Sequence, residues 1–252
     1  MSTSKRFANK LAVVTGASTG IGFASAKALI EEGARVIITG QNEQRLATAA
    51  QQLGPHAIPV LADVRKLEDL DRLAQRTREV SDRVDVLFAN AGLGKFAPLE
   101  HVSEALFDEV FDTNVKGLFF TIQKLAGLLK QGSSVILNSS AVNAKGAPSS
   151  SIYFATKAAV RSMARTLAAE LGPRGVRVNA LSPGYILTEF QGRTGLPPEA
   201  LNGFITAVEN NTPLGRTGTV DDVIKAVLFL ASEDSAYMTA ADLVVDGGYM
   251  NV

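Results

Sequence analysis

The chain has 252 residues, 46% hydrophobic and 20% charged, a composition that folds around a sizeable core. Its 25 basic and 25 acidic residues cancel, so the charge balance offers no footprint for nucleic acid or for an anionic membrane. Cysteine is absent, and the two histidines, His56 and His101, are too few and too scattered for a zinc site, so disulfide, thiol and zinc chemistry are set aside and no metal is expected.

The opening residues lead into the apolar run Leu11 to Val14, which has neither the length nor the small-residue cleavage pattern of a secretory signal. No stretch approaches the roughly 20 apolar residues that span a bilayer. A soluble, cytoplasmic protein is the expectation. Short β-branched or apolar runs then recur at 11–15, 35–39, 57–61, 84–88, 134–138, 176–180 and 242–245, and most read as strands buried on both faces. Between them lie helix-length segments at 20–32, 42–53, 66–80, 104–130, 152–171 and 220–231. Alternating strands and helices predict a parallel sheet covered by helices on both faces, and no linker or repeat divides it, so residues 1–252 read as one domain. Residues 183–218 are punctuated by proline and glycine, and the stretch at about 186–216 reads as a substrate lid.

After the first strand comes Thr15-Gly-Ala-Ser-Thr-Gly-Ile-Gly22, followed by a helix. Glycines at Gly16, Gly20 and Gly22 allow left-handed backbone and close approach, and the free N–H groups at a helix start attract a pyrophosphate, here with Ser18, Thr19 and Ile21 alongside. The spacing is Gly-x-x-x-Gly-x-Gly rather than the commoner Gly-x-Gly-x-x-Gly. An acidic residue about 20 positions on usually binds the adenosine ribose, yet the second strand here ends in Gly40-Gln41-Asn42. Without a carboxylate to repel a 2′-phosphate, NADP(H) is preferred over NAD(H). No arginine occupies the tip, and Glu43 is the carboxylate that argues the other way.

Two helical segments lack a polar face. In 152–171, Ala155, Ala158, Ala159, Ser162 and Met163 stand opposite Tyr153, Lys157 and Val160, and the stretch from Leu118 to Leu129 has the same character. Helices apolar nearly all round are buried all round, so a second subunit is expected against 104–130 and 152–171.

Tyr153-Phe-Ala-Thr-Lys157 places a phenol and an ammonium one turn apart on one helical face. Ser140 lies upstream at the carboxyl end of the fifth strand, where parallel sheets bind ligands, and Asn114 lies in the long helical segment. With the glycine turn, Asp63, Asn90-Ala91-Gly92, Pro183-Gly184 and Asp246-Gly247-Gly248, these residues span the chain, which resembles the short-chain dehydrogenase/reductases of the single-domain type. The resemblance implies a Rossmann-like, doubly wound, seven-stranded parallel sheet, commonly assembled as a homotetramer (or dimer) through the two helices above. It implies an NAD(P)-dependent oxidoreductase acting on a carbonyl or secondary alcohol.

Carried onto this sequence, the resemblance makes Tyr153 the acid/base, has Ser140 bond the substrate oxygen, and has Lys157 hold the nicotinamide ribose. Asn114 would orient a water in a proton relay. A phenol titrates near 10, so a base at neutral pH needs it lowered by roughly 2 to 3 units, about 3 to 4 kcal/mol, for which Lys157 would supply the charge. Asp63 and Val64 would meet the adenine, Asn90, Ala91 and Gly92 would run beneath the cofactor, and Pro183, Gly184, Ile186 and Thr188 would wall the nicotinamide. At the mouth, Leu93, Val142 and Phe190, with Leu196, Phe204 and Ile205, suggest an apolar pocket, and Lys145 or Arg193 could meet an acidic substrate. A ketone, a β-keto ester or thioester, a sugar or a steroid all fit. A catalytically silent dinucleotide sensor would normally lack one of the four central residues, and all four are present.

Overall fold

A computed structural model describes residues 5–188 and 198–252. Seven parallel strands form one sheet in the order β3-β2-β1-β4-β5-β6-β7. They are β1 (Leu11–Val14), β2 (Arg35–Gly40), β3 (Ala57–Leu61), β4 (Val84–Ala89), β5 (Leu129–Asn138), β6 (Arg177–Pro183) and β7 (Asp242–Val245). This is the doubly wound single domain expected from the alternating pattern.

Strand side chains alternate between faces, and the two cores take alternate residues of each strand. Val13, Leu87, Val135 and Leu137 point into one core, closed by Leu70 and Leu73 of helix α3 (Leu67–Val80), Ile122 and Leu125 of α5 (Leu118–Leu125) and Val160 and Ala164 of α6 (Ser151–Leu171). Val14, Val86, Phe88 and Ile136 point into the other, closed by Ala26 and Leu29 of α1 (Gly20–Glu31), Leu46 of α2 (Glu43–Leu53) and Val227 and Leu230 of α8 (Val220–Ala231). Each central strand is therefore buried on both sides, the physical origin of runs such as Leu11–Val14 that are apolar throughout.

The segment predicted as one helix over 104–130 is corrected. It divides into α4 (Glu104–Phe111), a π-helical turn (Asp112–Gly117), α5 and a short 3₁₀ turn (Ala126–Leu128). Leu129 and Lys130 already belong to β5, where Leu129 pairs with Val84 and is fully buried. Gly127 and Gly132 favour leaving the helix, and pairing with β4 supplies the backbone partners a further helical turn would have given. The fifth strand thus begins five residues before the predicted Ser134. The remaining boundaries move by a residue or so, except that β6 runs on to Pro183. Within 183–218, Ile186 bridges to Gly218 and α7 (Pro198–Asn210) forms. No helix among the described residues is long and apolar enough to cross a membrane.

The strand order reverses between β1 and β4, which lie side by side with their crossovers departing in opposite directions. At that switch point the carboxyl ends of both strands open into a crevice, and the glycine turn leaves β1 there while Asn90-Ala91-Gly92 leaves β4.

Candidate active site

The glycine turn is held from below by the β4 exit. Thr15 Oγ1 accepts from the backbone N–H of Asn90 and of Ala91, both at 3.0 Å, and Asn90 Nδ2 donates to the carbonyls of Thr15 at 2.9 Å and Gly16 at 3.2 Å. Asn90 is thus a brace for the turn. Gly16 sits at φ +63°, and a Cβ there would stand 2.8 Å from Ala91 Cα; one on Gly22 would meet the Gly16 carbonyl at 2.4 Å. Larger residues cannot hold this turn. Gly20, also left-handed at φ +59°, faces Thr188 across the crevice, whose Cβ is 3.9 Å from where a Cβ of Gly20 would lie. The first turn of α1 carries no acidic residue. A backbone cradle at a helix start, free of side-chain bulk and of negative charge, fits a dinucleotide diphosphate.

At the adenosine end, Gln41 is exposed and Asn42 Oδ1 caps α2 by accepting from the Arg45 N–H at 2.9 Å, with Glu43 in the first turn. Val64 packs where Gly117 has no side chain, 2.7 Å from the position of a Cβ. Asp63 is gripped by Arg65, whose Nε lies 3.0 and 3.1 Å from its two oxygens and whose Nη2 lies 2.6 Å from Oδ2. That pairing holds the Asp63 carboxyl below its ordinary range. Sequence spacing gave no arginine at the second strand's tip, but Arg65 Nη2 reaches Gln41 Oε1 at 3.4 Å.

Over the middle of the crevice, Ser140 starts a 3₁₀ turn (Ala141–Ala144), donating to the Pro183 carbonyl at 3.4 Å, and its hydroxyl stands near enough to the Tyr153 phenol to favour the ionised form. Lys157 Nζ lies 5.6 Å from the centre of the Tyr153 ring and donates to the Asn138 carbonyl at 2.8 Å. Asn114, buried in the π turn, ties its amide to neighbours: Oδ1 accepts from Leu93 N–H at 2.9 Å, and Nδ2 spends both hydrogens on the Leu93 carbonyl at 2.9 Å and Thr156 Oγ1 at 3.0 Å. A Cβ on Gly92 would lie 3.2 Å from Asn114 Oδ1 and 3.6 Å from Lys157 Nζ, so glycine leaves the gap between them open. The structure thus brings together Asn114, Ser140, Tyr153 and Lys157, four residues from three separate parts of the chain.

The electrostatics correct one expectation. Burial pushes the Tyr153 phenol up to about 12, opposed by the Ser140 hydroxyl, and burial lowers the Lys157 ammonium to about 8. Desolvation dominates at both groups, because each is taken from water and its charged form is disfavoured. Lys157 by itself therefore does not turn Tyr153 into a base.

This arrangement agrees with comparison against known proteins. Residues 16–250 match the family model described as enoyl-(acyl carrier protein) reductase. The chain is 42% identical over 254 residues to "Oxidoreductase asL5" of Sarocladium schorii, covering 100% of both chains. It is 37% identical to a 3-oxoacyl-[acyl-carrier-protein] reductase of Chlamydia muridarum, covering 95% of this chain and 97% of that one. Among solved structures, a short-chain dehydrogenase/reductase titled glucose/ribitol dehydrogenase from Brucella melitensis superposes with a TM-score of 0.91 at 29% identity, covering 98% and 99% of the two chains. The chain belongs to the short-chain dehydrogenase/reductase family. It is an oxidoreductase of alcohol or carbonyl substrates, in a family that uses NAD(P)(H).

Within this short-chain dehydrogenase/reductase, several residues around the crevice escaped the reading of spacing. Phe96 sets its ring edge-on to Tyr153, with centroids 5.4 Å apart, yet is half exposed at the mouth. An aromatic soon after Gly92 was the available signal. Thr156 links Asn114 to the helix by donating to the Tyr153 carbonyl at 2.7 Å. Asp242 accepts from Asn143 Nδ2 at 3.0 Å and pairs with Arg161 at 3.1 Å, tying the Ser140 turn to α6 one turn beyond Lys157. Leu93 and Val142 are half-buried at the mouth, whereas Phe190, Arg193 and Leu196 lie outside the described residues, as does the Phe204 side chain. Lys145 is not waiting for an acidic substrate: it donates to the Tyr249 carbonyl and sits 3.9 Å over that ring's centre. Pro183, Gly184 and Ile186 wall the far side, and Gly184 must be glycine because a Cβ would meet Asp246 at 2.7 Å.

The outward face of α6 leaves Ala155, Ala158, Ser162, Thr166 and Ala169 exposed, and Phe107 and Phe119 of α4 and α5 are 44% and 38% exposed. One chain does not bury these faces.

Proposed function

We propose that this chain moves a hydride between a nicotinamide dinucleotide, NADP(H) in preference to NAD(H), and a carbonyl or secondary alcohol. Bound nicotinamide would supply or accept the hydride; the rest is the chain's own work. In reduction Tyr153 Oη donates its proton to the substrate oxygen, and in oxidation it takes one back, while Ser140 Oγ, beside that hydroxyl, holds the same oxygen. Lys157 holds the ribose and places positive charge beside the phenol, and Asn114 fixes the β4 exit against α6 so that both face one point. The meeting of Ser140, Tyr153 and Lys157 beside the glycine cradle, at the sheet's switch point, carries this reading. Gly16 to Gly22 would hold the diphosphate, Gln41, Asn42, Asp63 and Val64 the adenosine, and Asn90 to Gly92 with Pro183, Gly184, Ile186 and Thr188 the nicotinamide half.

The mouth offers Leu93, Phe96 and Val142, which favours an apolar ketone over a polyol. Segment 186–216, of which residues 189–197 lie outside the described part, would cover it. NADPH consumption over a panel of aliphatic and aromatic ketones, β-keto thioesters and sugars should register fastest turnover on an apolar ketone. Nucleotide binding without turnover on any of them would instead leave a silent dinucleotide-binding protein.

The exposed small-residue face of α6 and the phenylalanines of α4 and α5 support self-association as a homotetramer or dimer. Sedimentation should give a multiple of the 26.6 kDa chain mass, and a single-chain mass would refute the assembly.

A further inference from the structure

We infer that Arg65 is the residue that recognises a 2′-phosphate, an assignment that rests on the NADP(H) reading above and names its cation. β2 and β3 run side by side with Gly40 opposite Leu61, and the Ala62 N–H donates to the Gly40 carbonyl at 3.1 Å, so the residues following both strands share one rim of the crevice. Gln41 stands on that rim from β2 and Arg65 leans onto it from β3, 3.4 Å from Gln41 Oε1. A residue 24 positions away in sequence thus fills the place that is empty of basic residues at the β2 tip itself.

The guanidinium is only partly used. Nε and Nη2 bond Asp63, and Nη2 also reaches Gln41, while Nη1 makes no hydrogen bond among the described residues and the side chain is 37% exposed. A planar fork held along one edge by a carboxylate presents its other edge in a fixed direction, the arrangement that suits a phosphate dianion. Glu43, in the first turn of α2, stays beside the β2 tip as the carboxylate opposing a phosphate, and it does not figure among the charges whose fields reach Arg65. Asp63 offsets one positive charge, and Glu109 and Asp112, whose fields also reach Arg65, are paired with Lys95 and Lys116. Asn42 Oδ1 is committed to its cap and Gln41 is neutral, so neither can neutralise the phosphate. Asp63 then has two tasks, aligning Arg65 and facing the adenine, and only the first depends on the phosphate.

Fluorescence titration of NADPH and of NADH against the wild type, Arg65→Ala and Arg65→Lys separates the possibilities. Arg65→Ala should weaken NADPH binding by about 10- to 100-fold and change NADH binding by less than about twofold, with Arg65→Lys between, since a point charge keeps attraction and loses the fork. An equal change for both nucleotides in Arg65→Ala overturns the assignment. Tighter NADH than NADPH binding by the wild type refutes the NADP(H) preference instead, and the variant's NADPH-to-NADH ratio still decides the role of Arg65.

Discussion

Tyr153→Phe is expected to lower kcat by about 10²- to 10⁴-fold in both directions, the usual contribution of a positioned acid/base, while NADPH affinity holds. The substitution keeps the ring, its edge contact with Phe96 and its place on α6, and removes only the oxygen beside Ser140. Circular dichroism and nucleotide titration should therefore match the wild type, and steady-state rates should not. Activity unchanged in the variant would sink the acid/base role. The pH profile adds a directional check. With the phenol pushed up to about 12 by burial, the proton donor is present across the ordinary range, so kcat/KM for carbonyl reduction should not fall for want of it. Alcohol oxidation needs the phenolate, and its kcat/KM should climb as pH rises.

That profile also marks what spacing alone could and could not say. Tyr153 and Lys157 were legible because a helix repeats every 3.6 residues, which fixes which residues share a face whatever surrounds them. Their protonation was not, because desolvation depends on what packs over the helix. Here it raises the one group and lowers the other, against the expectation of an ammonium that simply acidifies its neighbour. The strands were legible for a complementary reason. A strand covered by helices on both faces is buried at every position, as Val84 to Ala89 is, and it is apolar except where a polar group finds a partner, as Asp85 does by accepting the Leu11 N–H.

Boundaries that depend on partners were less legible. The onset of β5 at Leu129 is set by pairing with β4, which lies 45 residues earlier. The π turn around Asn114 leaves composition and periodicity almost untouched, since one residue is added to a helix that continues on both sides. Arg65 belongs to the same class of omission: its contact with Gln41 exists only once β2 and β3 lie side by side.

Lys157→Met should separate function from stability. With the ammonium lowered to about 8 by burial, the folded chain at pH 7 carries a charge that its surroundings disfavour, whereas the unfolded chain does not feel the penalty. Below pH 8 lysine is protonated in both states and the full cost applies, about 3 kcal/mol from the difference between the two ionisation points. As pH rises from 8 towards 10.5 the folded chain sheds its proton first and the cost fades, disappearing once both states are neutral. Methionine matches the lysine stem without the charge, but leaves the Asn138 carbonyl without its donor, which returns about 1 kcal/mol. The nucleotide-free variant should therefore be more stable than the wild type by about 2 kcal/mol at pH 7 and by progressively less towards pH 10, read from denaturant midpoints at each pH. Turnover should nonetheless fall by about 10²-fold or more, since ribose placement and the charge beside Tyr153 are both lost. A variant less stable than the wild type at pH 7 would show that the hydrogen bond to Asn138 outweighs desolvation. A gain in stability with lost turnover would mean that this buried cation is held at the expense of the fold, in a site shaped for its chemistry.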